Sequence, residues 1–142
     1  LYEDALLIQL RELDGPFAGG GDWQGSIVPS LWRLRRAHVP LAAAPATITR
    51  ATVGQGETAV TRFVLTSGDY RRTFDVEQAP PRRVLAWTTS EGDDVRILRT
   101  ERMAYWTLNG AGDESFRERV GLTPAQAPAP ITPPEGTRAI GR

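Results

Sequence analysis

Two arginine pairs are the part of this sequence best suited to bind another molecule. Arg71-Arg72 and Arg82-Arg83 lie on either side of a double proline within residues 68–89. The planar guanidinium group binds carboxylates and phosphates through paired hydrogen bonds, so such pairs are typical of anion sites. All 17 basic residues are arginine, which excludes a Schiff-base lysine and the lysine of a phosphate-binding P-loop.

The other residue types that carry catalysis are scarce. The chain has one histidine, His38, and no cysteine, which excludes disulfides and thiolate metal sites. The carboxylates at 91–94 and 112–115 lie in turn-rich segments without the spacing of a calcium loop. There is no GxSxG nucleophile motif, and the glycines of GGGDWQG lack the spacing of a nucleotide-binding loop. We therefore predict no catalytic, cofactor-binding or metal-binding residues, and a chain that is not an enzyme.

The charges of the chain balance, with 17 basic and 17 acidic residues. A protein without net charge has no overall field that would gather nucleic acid or anionic lipid, so we expect no nucleic-acid partner. No run of about 18 apolar residues is present, so the sequence shown has no transmembrane segment. Because the first residue is Leu1 instead of methionine, we expect that a leader was removed or that the chain is a fragment.

The N-terminal third predicts a helix, a loop and a segment of uncertain type. An apolar stripe at helical spacing predicts a helix over about 2–13, with inward residues Tyr2, Leu6, Leu10 and Leu13. The glycines at 15–25 predict a mobile loop. Residues 26–41 fit either an irregular edge strand or a short helix that begins at Ser30 and turns Leu31 and Leu34 inward.

From about residue 46 the apolar period changes to two, which is typical of strands. Five segments rich in β-branched and aromatic residues predict an antiparallel β-meander over about 46–108, because the connections are short. A short C-terminal helix is predicted at about 113–120. We expect one α+β domain over 1–122, with the N-terminal helix packed on a curved sheet of about five strands.

The hairpin that contains the arginine pairs permits a prediction of register. With QAPP as its loop, Glu77 faces Arg82 as an ion pair, and Phe74 faces Leu85. Side chains then separate by parity, which divides each arginine pair between the two faces. Neither pair can therefore present both guanidinium groups to one ligand, so we interpret the pairs as mainly structural, with Arg72 and Arg83 as the exception. The face we expect to be buried carries Tyr70, Phe74, Val76, Leu85 and Trp87. Arg72 falls beside Trp87, where its guanidinium group can stack on the indole.

The candidate contacts for a ligand or partner come from three places. Arg72, Arg83 and Trp87 lie on the mostly apolar face, where the arginines fit the mouth of a pocket. Tyr105 and Trp106 form an aromatic pair of the residue types that dominate binding hot spots. The segment 123–142 is rich in proline and predicts an extended tail suited to lie along another protein, with Pro128, Pro130, Pro133 and Pro134 as contacts.

Two hypotheses for the function follow. The first is a non-enzymatic accessory or binding subunit of a larger protein assembly, with other protein subunits as partners. The second is a small carrier that binds a lipid, an acyl chain or another hydrophobic acid in the concave face of the sheet. For either we expect an extracytoplasmic or membrane-associated location in a bacterium.

Overall fold

The computed structural model describes residues 1–11, 17 and 19–122. It divides into two compact units, Leu1–Ile97 and the residues from Leu98 onward. The predicted tail at 123–142, the end of the predicted N-terminal helix and the start of the predicted glycine-rich loop lie outside the described residues. The described part contains a six-stranded antiparallel sheet and a few short helices, which is an α+β or mostly-β fold.

The N-terminal helix is shorter than the sequence predicts. A 3-10 turn at Glu3–Ala5 leads into α1 at Leu6–Gln9. The amide of Arg11 then donates to the carbonyl of Ile8, so the last turn tightens to three-residue spacing. Leu6 and Leu10 are both buried in the core. A short helix gains little from propensity alone, and two inward leucines are enough to hold this one turn.

The first strand begins within the predicted glycine-rich loop, so that prediction is wrong for its last three residues, 23–25. β1 runs over Trp23–Ile27, and its residues alternate between half-buried or buried and exposed. Gly25 fits this strand for a specific reason, because a Cβ atom there would come within 2.6 Å of the Trp23 indole. Gly25 thus makes room for the indole of Trp23. Glycine in a strand often marks a place where another group approaches the backbone closely.

Residues 31–37 form a helix, which decides between the two readings of this segment. α2 runs over Leu31–Ala37 and turns Leu34 inward, whereas Leu31 is exposed, contrary to the prediction. The side chain of Ser30 makes no capping hydrogen bond. The first free amides are satisfied instead by carboxylates from the N-terminus, since Ser30 donates to Glu3 and Leu31 donates to Asp4.

The remaining strands follow in chain order and all pair antiparallel with their neighbours. Their bounds are β2 at Ala44–Val53, β3 at Val60–Ser67, β4 at Tyr70–Glu77, β5 at Val84–Thr89 and β6 at Asp94–Arg96. The fifth predicted strand is therefore far shorter than expected. β6 pairs with β5 from Thr88 to Ala86, and one further bond, from the amide of Ile97 to the carbonyl of Leu85 in the bulge, ends the pairing.

The register of the β4–β5 hairpin differs from the prediction by two residues. Phe74 faces Trp87 instead of Leu85. One residue of the shift comes from the loop, where Arg82 takes a left-handed conformation and the Glu77 amide donates to the Arg83 carbonyl. The other comes from a bulge at Leu85, between Val84 and Ala86. Two shifts of one residue preserve parity, so Phe74 and Trp87 still share a face.

The core of the first unit joins the N-terminal residues to one face of the sheet. Its buried members are Leu6, Leu10, Phe17, Ile27, Ala46, Ile48, Phe63, Leu65, Tyr70, Phe74 and Val76. Val84 and Trp87 pack against this cluster, but Leu85 does not belong to it. The predicted buried face is therefore right for Tyr70, Phe74 and Val76 and wrong for Leu85, which the bulge displaces.

The described part of the second unit contains only short elements. A 3-10 turn at Tyr105–Thr107 replaces the end of the predicted last strand. A second 3-10 turn at Asp113–Ser115 leads into α3 at Phe116–Arg119, where the sequence predicts its C-terminal helix. Among the described residues, no helix is long and apolar enough to cross a membrane.

Candidate functional site

A buried carboxylate connects the N-terminal turn to the sheet. Glu3 is 1% exposed and accepts three hydrogen bonds, from the Ser30 amide at 2.9 Å, the Tyr70 hydroxyl at 2.7 Å and Arg72 Nη1 at 3.0 Å. We call these four residues the Glu3–Arg72 network. Burial is the main cause, and the hydrogen bond to Glu3 the second, of a pKa of Tyr70 far above its ordinary value. The Tyr70 hydroxyl therefore stays protonated and remains a donor.

Aromatic rings hold the Arg72 guanidinium from the side. Its central carbon lies 4.2 Å from the centroid of the Trp87 ring system and 4.8 Å from that of Phe74. The stacking of Arg72 on Trp87 that the sequence predicts is therefore present, although the two residues do not face each other in the ladder. Arg72 is 6% exposed, and its Nε atom has no hydrogen-bond partner within the described chain.

The network forms the floor of a cleft of about 230 Å³. At its rim Glu91, in the turn between β5 and β6, bridges two arginines of α2. Its carboxylate accepts from Arg33 Nε at 2.6 Å and from Arg36 Nη2 at 2.7 Å. Hydrogen bonds from Arg33 and then Arg36 lower the pKa of Glu91. Arg33 also stacks on Tyr70, with 3.9 Å between its guanidinium carbon and the ring centroid.

The charges of this cleft are already paired. The arginines that line it are Arg33, Arg36 and Arg72, and the carboxylates are Glu3, Asp4, Glu91 and Asp93. Each of these arginines forms an ion pair with one of the carboxylates. An anionic ligand would have to displace a carboxylate of the protein, at a cost in Coulomb energy and hydrogen bonds. The cleft is therefore organised to join α2, the N-terminal turn and the sheet.

Arg83 lies in a different cleft from Arg72. It pairs with Glu77 at 2.5 Å, where the sequence predicts a pair between Glu77 and Arg82. The added loop residue explains this difference. Hydrogen bonds from Arg83 lower the pKa of Glu77 and raise that of Arg83 itself. Arg71 is exposed on β4. The structure therefore does not bring the predicted pair Arg72 and Arg83 to the mouth of one pocket.

Exposed apolar side chains of the first unit are concentrated on α2 and the residues that follow it, among the residues that the structure describes. Of the seven residues of α2, all of them described, only Leu34 is buried, at 8% exposure. Trp32 is 72% exposed and Leu41 is 63% exposed, and Leu31 and Val39 are also exposed. A groove of about 470 Å³ runs along this surface. We call it the α2 groove, and its lining residues are Leu31, Leu34, Arg35, His38, Val39 and Leu41.

His38 shapes the end of this groove through its backbone. It has a φ of 53° and follows the last residue of α2. Its amide donates to Arg35, and the amide of Val39 donates to Leu34 at 3.1 Å, which together make a Schellman motif. The chain turns here so that Val39 and Leu34 line the same groove. The exposed histidine therefore has a structural position at a helix end.

The second unit contains the other predicted aromatic contacts. Tyr105 and Trp106 are exposed and pack edge to face, with 5.4 Å between their ring centroids. They remain candidate contacts. The predicted contacts Pro128, Pro130, Pro133 and Pro134 lie outside the described residues.

Sequence reasoning missed Glu3 and the α2 groove, although both left a signal. Glu3 lies three residues before Leu6 and seven before Leu10, which places it on the same helical face as these leucines. An acid on an apolar face indicates a buried partner. The segment LWRLRRAHVPL contains more large apolar residues than one short helix can turn inward. The excess must face solvent or another molecule.

The described residues contain no cluster of candidate metal ligands. Among them, no group of three or more His, Asp or Glu side chains is close enough to hold a metal ion.

In comparisons with known proteins, no family model, no curated protein and no solved structure matches the chain.

Proposed function

We propose that this chain is a non-enzymatic accessory subunit that binds another protein of a larger assembly through the surface of α2. The observation that carries the proposal is the exposure of Leu31, Val39 and Leu41 along the α2 groove, together with that of Trp32, which lines the adjacent cleft above the Glu3–Arg72 network. Contiguous apolar surface rimmed by polar residues is typical of interaction sites. Tryptophan and arginine, which alternate with leucine here, are the residue types most enriched in binding hot spots.

The energetics of this surface favour a partner that covers it. Full burial of a large apolar side chain stabilises a complex by about 1.5–3 kcal/mol. Burial of four such side chains therefore stabilises a complex by about as much as association costs. That cost is roughly 4–15 kcal/mol of lost translational and rotational freedom. Because α2 is held in place by Glu91, Glu3 and Asp4, the surface is ordered before a partner arrives. Preorganisation lowers the cost of binding.

A protein is a better partner for this surface than an anionic membrane. Interfacial helices rely on several free basic residues to attract acidic lipids. On α2, Arg33 and Arg36 are neutralised by Glu91 and Asp93. The net charge of the chain is zero, which adds no long-range attraction.

The lipid-carrier alternative has less geometric support. Such a carrier needs an apolar cavity against its sheet, and pockets of this kind have volumes of about 300–1,000 Å³. The face of this sheet that carries Phe74 and Val76 is instead packed with Leu6, Leu10 and Phe17, which belong to the same core cluster.

A non-enzymatic role fits the pairing of each arginine in the cleft above the Glu3–Arg72 network with a carboxylate of the chain. The extracytoplasmic or membrane-associated location and the contribution of the proline-rich tail stay predictions from the sequence.

The proposal is tested by isolating the tagged full chain from its source and weighing the complexes by native mass spectrometry. We expect a stoichiometric second polypeptide with the wild-type chain. The double variant Leu31→Ser, Trp32→Ala should retain at least tenfold less of it. Leu98→Ser is the matched control, because Leu98 is 89% exposed and lies in the second unit. A wild-type chain that carries only lipid, or a double variant that retains the polypeptide as well as the control does, would contradict the proposal.

A further inference from the structure

We infer that the α2 groove takes an acidic, amphipathic segment of the partner protein, whose apolar side chains enter the groove while a carboxylate pairs with Arg35. This inference rests on the proposed function and names the chemistry of its partner. It follows from the pairing of charges on α2, the lining of the groove and its size.

Arg35 differs from the other arginines of α2 in its pairing. Arg33 binds Glu91 at 2.6 Å, and Arg36 binds Glu91 at 2.7 Å and lies 3.7 Å from Asp93. Arg35 has no ion pair or side-chain hydrogen bond with any residue of the described part of the chain. Its guanidinium group is therefore available for a carboxylate supplied from outside.

The lining of the α2 groove defines what such a carboxylate must be attached to. Four aliphatic side chains line it, from Leu31, Leu34, Val39 and Leu41, together with Arg35 and His38. All six lining residues are described, and none is acidic. A lysine or arginine of a partner would meet Arg35 without a counter-charge, whereas an aspartate or glutamate would form a charge-assisted bond beside apolar surface.

The size and position of the groove suit a segment of protein. Its volume of about 470 Å³ is enough for several aliphatic side chains, since pockets for drug-sized ligands have about 300–1,000 Å³. Amphipathic segments bind such grooves through apolar side chains spaced along one face.

The inference is tested with two synthetic peptides and the folded full chain. Both peptides have the same leucines at helical spacing; one has glutamate at every polar position and the other has lysine. Calorimetry measures affinity, and methyl NMR shifts of Leu34 and Val39 locate binding. We expect the glutamate peptide to bind at least tenfold more tightly than the lysine peptide and Arg35→Glu to reverse this order. Arg71→Glu, an exposed arginine on β4, should leave both affinities within twofold.

Three outcomes would overturn the inference. One is equal affinity for the two peptides. Another is an Arg35→Glu variant that keeps the wild-type preference. The third is a wild-type chain that binds vesicles of phosphatidylserine and phosphatidylcholine but neither peptide, which would assign the groove to a membrane surface.

The same variants separate this inference from the proposed function in the native complex. If a stoichiometric protein partner is lost with Leu31→Ser, Trp32→Ala but retained within twofold with Arg35→Glu, the accessory-subunit proposal stands and the acidic partner is wrong. If no stoichiometric polypeptide is found at all, the proposed function itself is wrong. Loss of the partner with both variants, but not with Arg71→Glu, supports the two together.

Discussion

The Glu3→Ala substitution is the most severe single test of the first unit. It removes the carboxylate that accepts hydrogen bonds from the Ser30 amide, the Tyr70 hydroxyl and Arg72. Arg72 would remain as a buried cation without its ion pair, and its Nε atom already has no partner among the described residues. Breaking a buried ion pair from one side costs about 3–5 kcal/mol.

The magnitude has contributions of both signs. Ser30 and Tyr70 would each lose an acceptor, and a buried unsatisfied group costs about 1–3 kcal/mol. The cleft above the network lets water reach part of the space that Glu3 vacates, which offsets some of this. We therefore expect the free energy of unfolding to fall by about 3–5 kcal/mol, a large part of the roughly 5–15 kcal/mol of a typical domain.

The assay is urea unfolding followed by tryptophan fluorescence. With a slope of about 1–3 kcal/mol per molar urea, the midpoint should fall by at least about 1 M. Glu57→Ala is the matched control, because Glu57 is an exposed carboxylate, and its variant should stay within about 0.5 kcal/mol of wild type. If Glu3→Ala does not fold, Glu3→Gln keeps an acceptor oxygen and should cost less.

A double-mutant cycle distinguishes the ion pair from simple loss of packing. Glu3→Gln combined with Arg72→Met removes both charges. It should be less destabilised than the sum of the single variants by about 0.5–3 kcal/mol, the range for residues in one network. A loss below about 1 kcal/mol for Glu3→Ala, or strict additivity in the cycle, would refute the reasoning.

Two further predictions concern α2. His38→Gly should raise the free energy of unfolding by about 0.5–1 kcal/mol in thermal or urea unfolding, because glycine adopts the left-handed conformation without a Cβ penalty; a loss of stability would mean that the imidazole itself contributes. Hydrogen bonds from Arg33 and Arg36 lower the pKa of Glu91 below its ordinary value of 4.5. The ionised Glu91 therefore stabilises the fold above pH 4.5, and this stabilisation is lost as the pH falls through the lowered pKa. Urea midpoints of Glu91→Gln should therefore decline less between about pH 5 and pH 3 than those of wild type, and equal declines would show that the bridge to α2 is not formed in solution.

The sequence predicts the sheet well where the period of two is regular. The four segments from β2 to β5 are rich in β-branched and aromatic residues, are bounded by turn residues and form strands at the expected places, with the clearest alternation of burial in β4. β1 escaped prediction because Gly25 weakens its pattern, and glycine is needed there because the Trp23 indole lies where a Cβ atom would be. That contact depends on the side-chain conformation of Trp23, which composition does not reveal.

The register and the candidate site depend on details that short-range patterns do not contain. A left-handed Arg82 and a bulge at Leu85 shift the hairpin by two residues, and no turn residue such as glycine marks either position. The partners of Glu3 lie 27 to 69 residues away in the chain. Helical spacing places Glu3 on the apolar face, but the residue that neutralises it is known only from the fold.

The order of the strands has a consequence for the kinetics of folding. From β2 to β6 each strand pairs with its neighbours in the chain across a short connection, so this part of the sheet can grow one hairpin at a time, whereas β1 joins β2 through a connection that contains α2. The bonds from Tyr70 and Arg72 to Glu3 instead span 67 and 69 residues. They can form only after β4 is in place and the N-terminal turn has docked. We expect these bonds to form after the transition state, because they close the longest loops in the unit, and such interactions slow unfolding without speeding folding. Loss of the network should therefore raise the unfolding rate more than it lowers the folding rate.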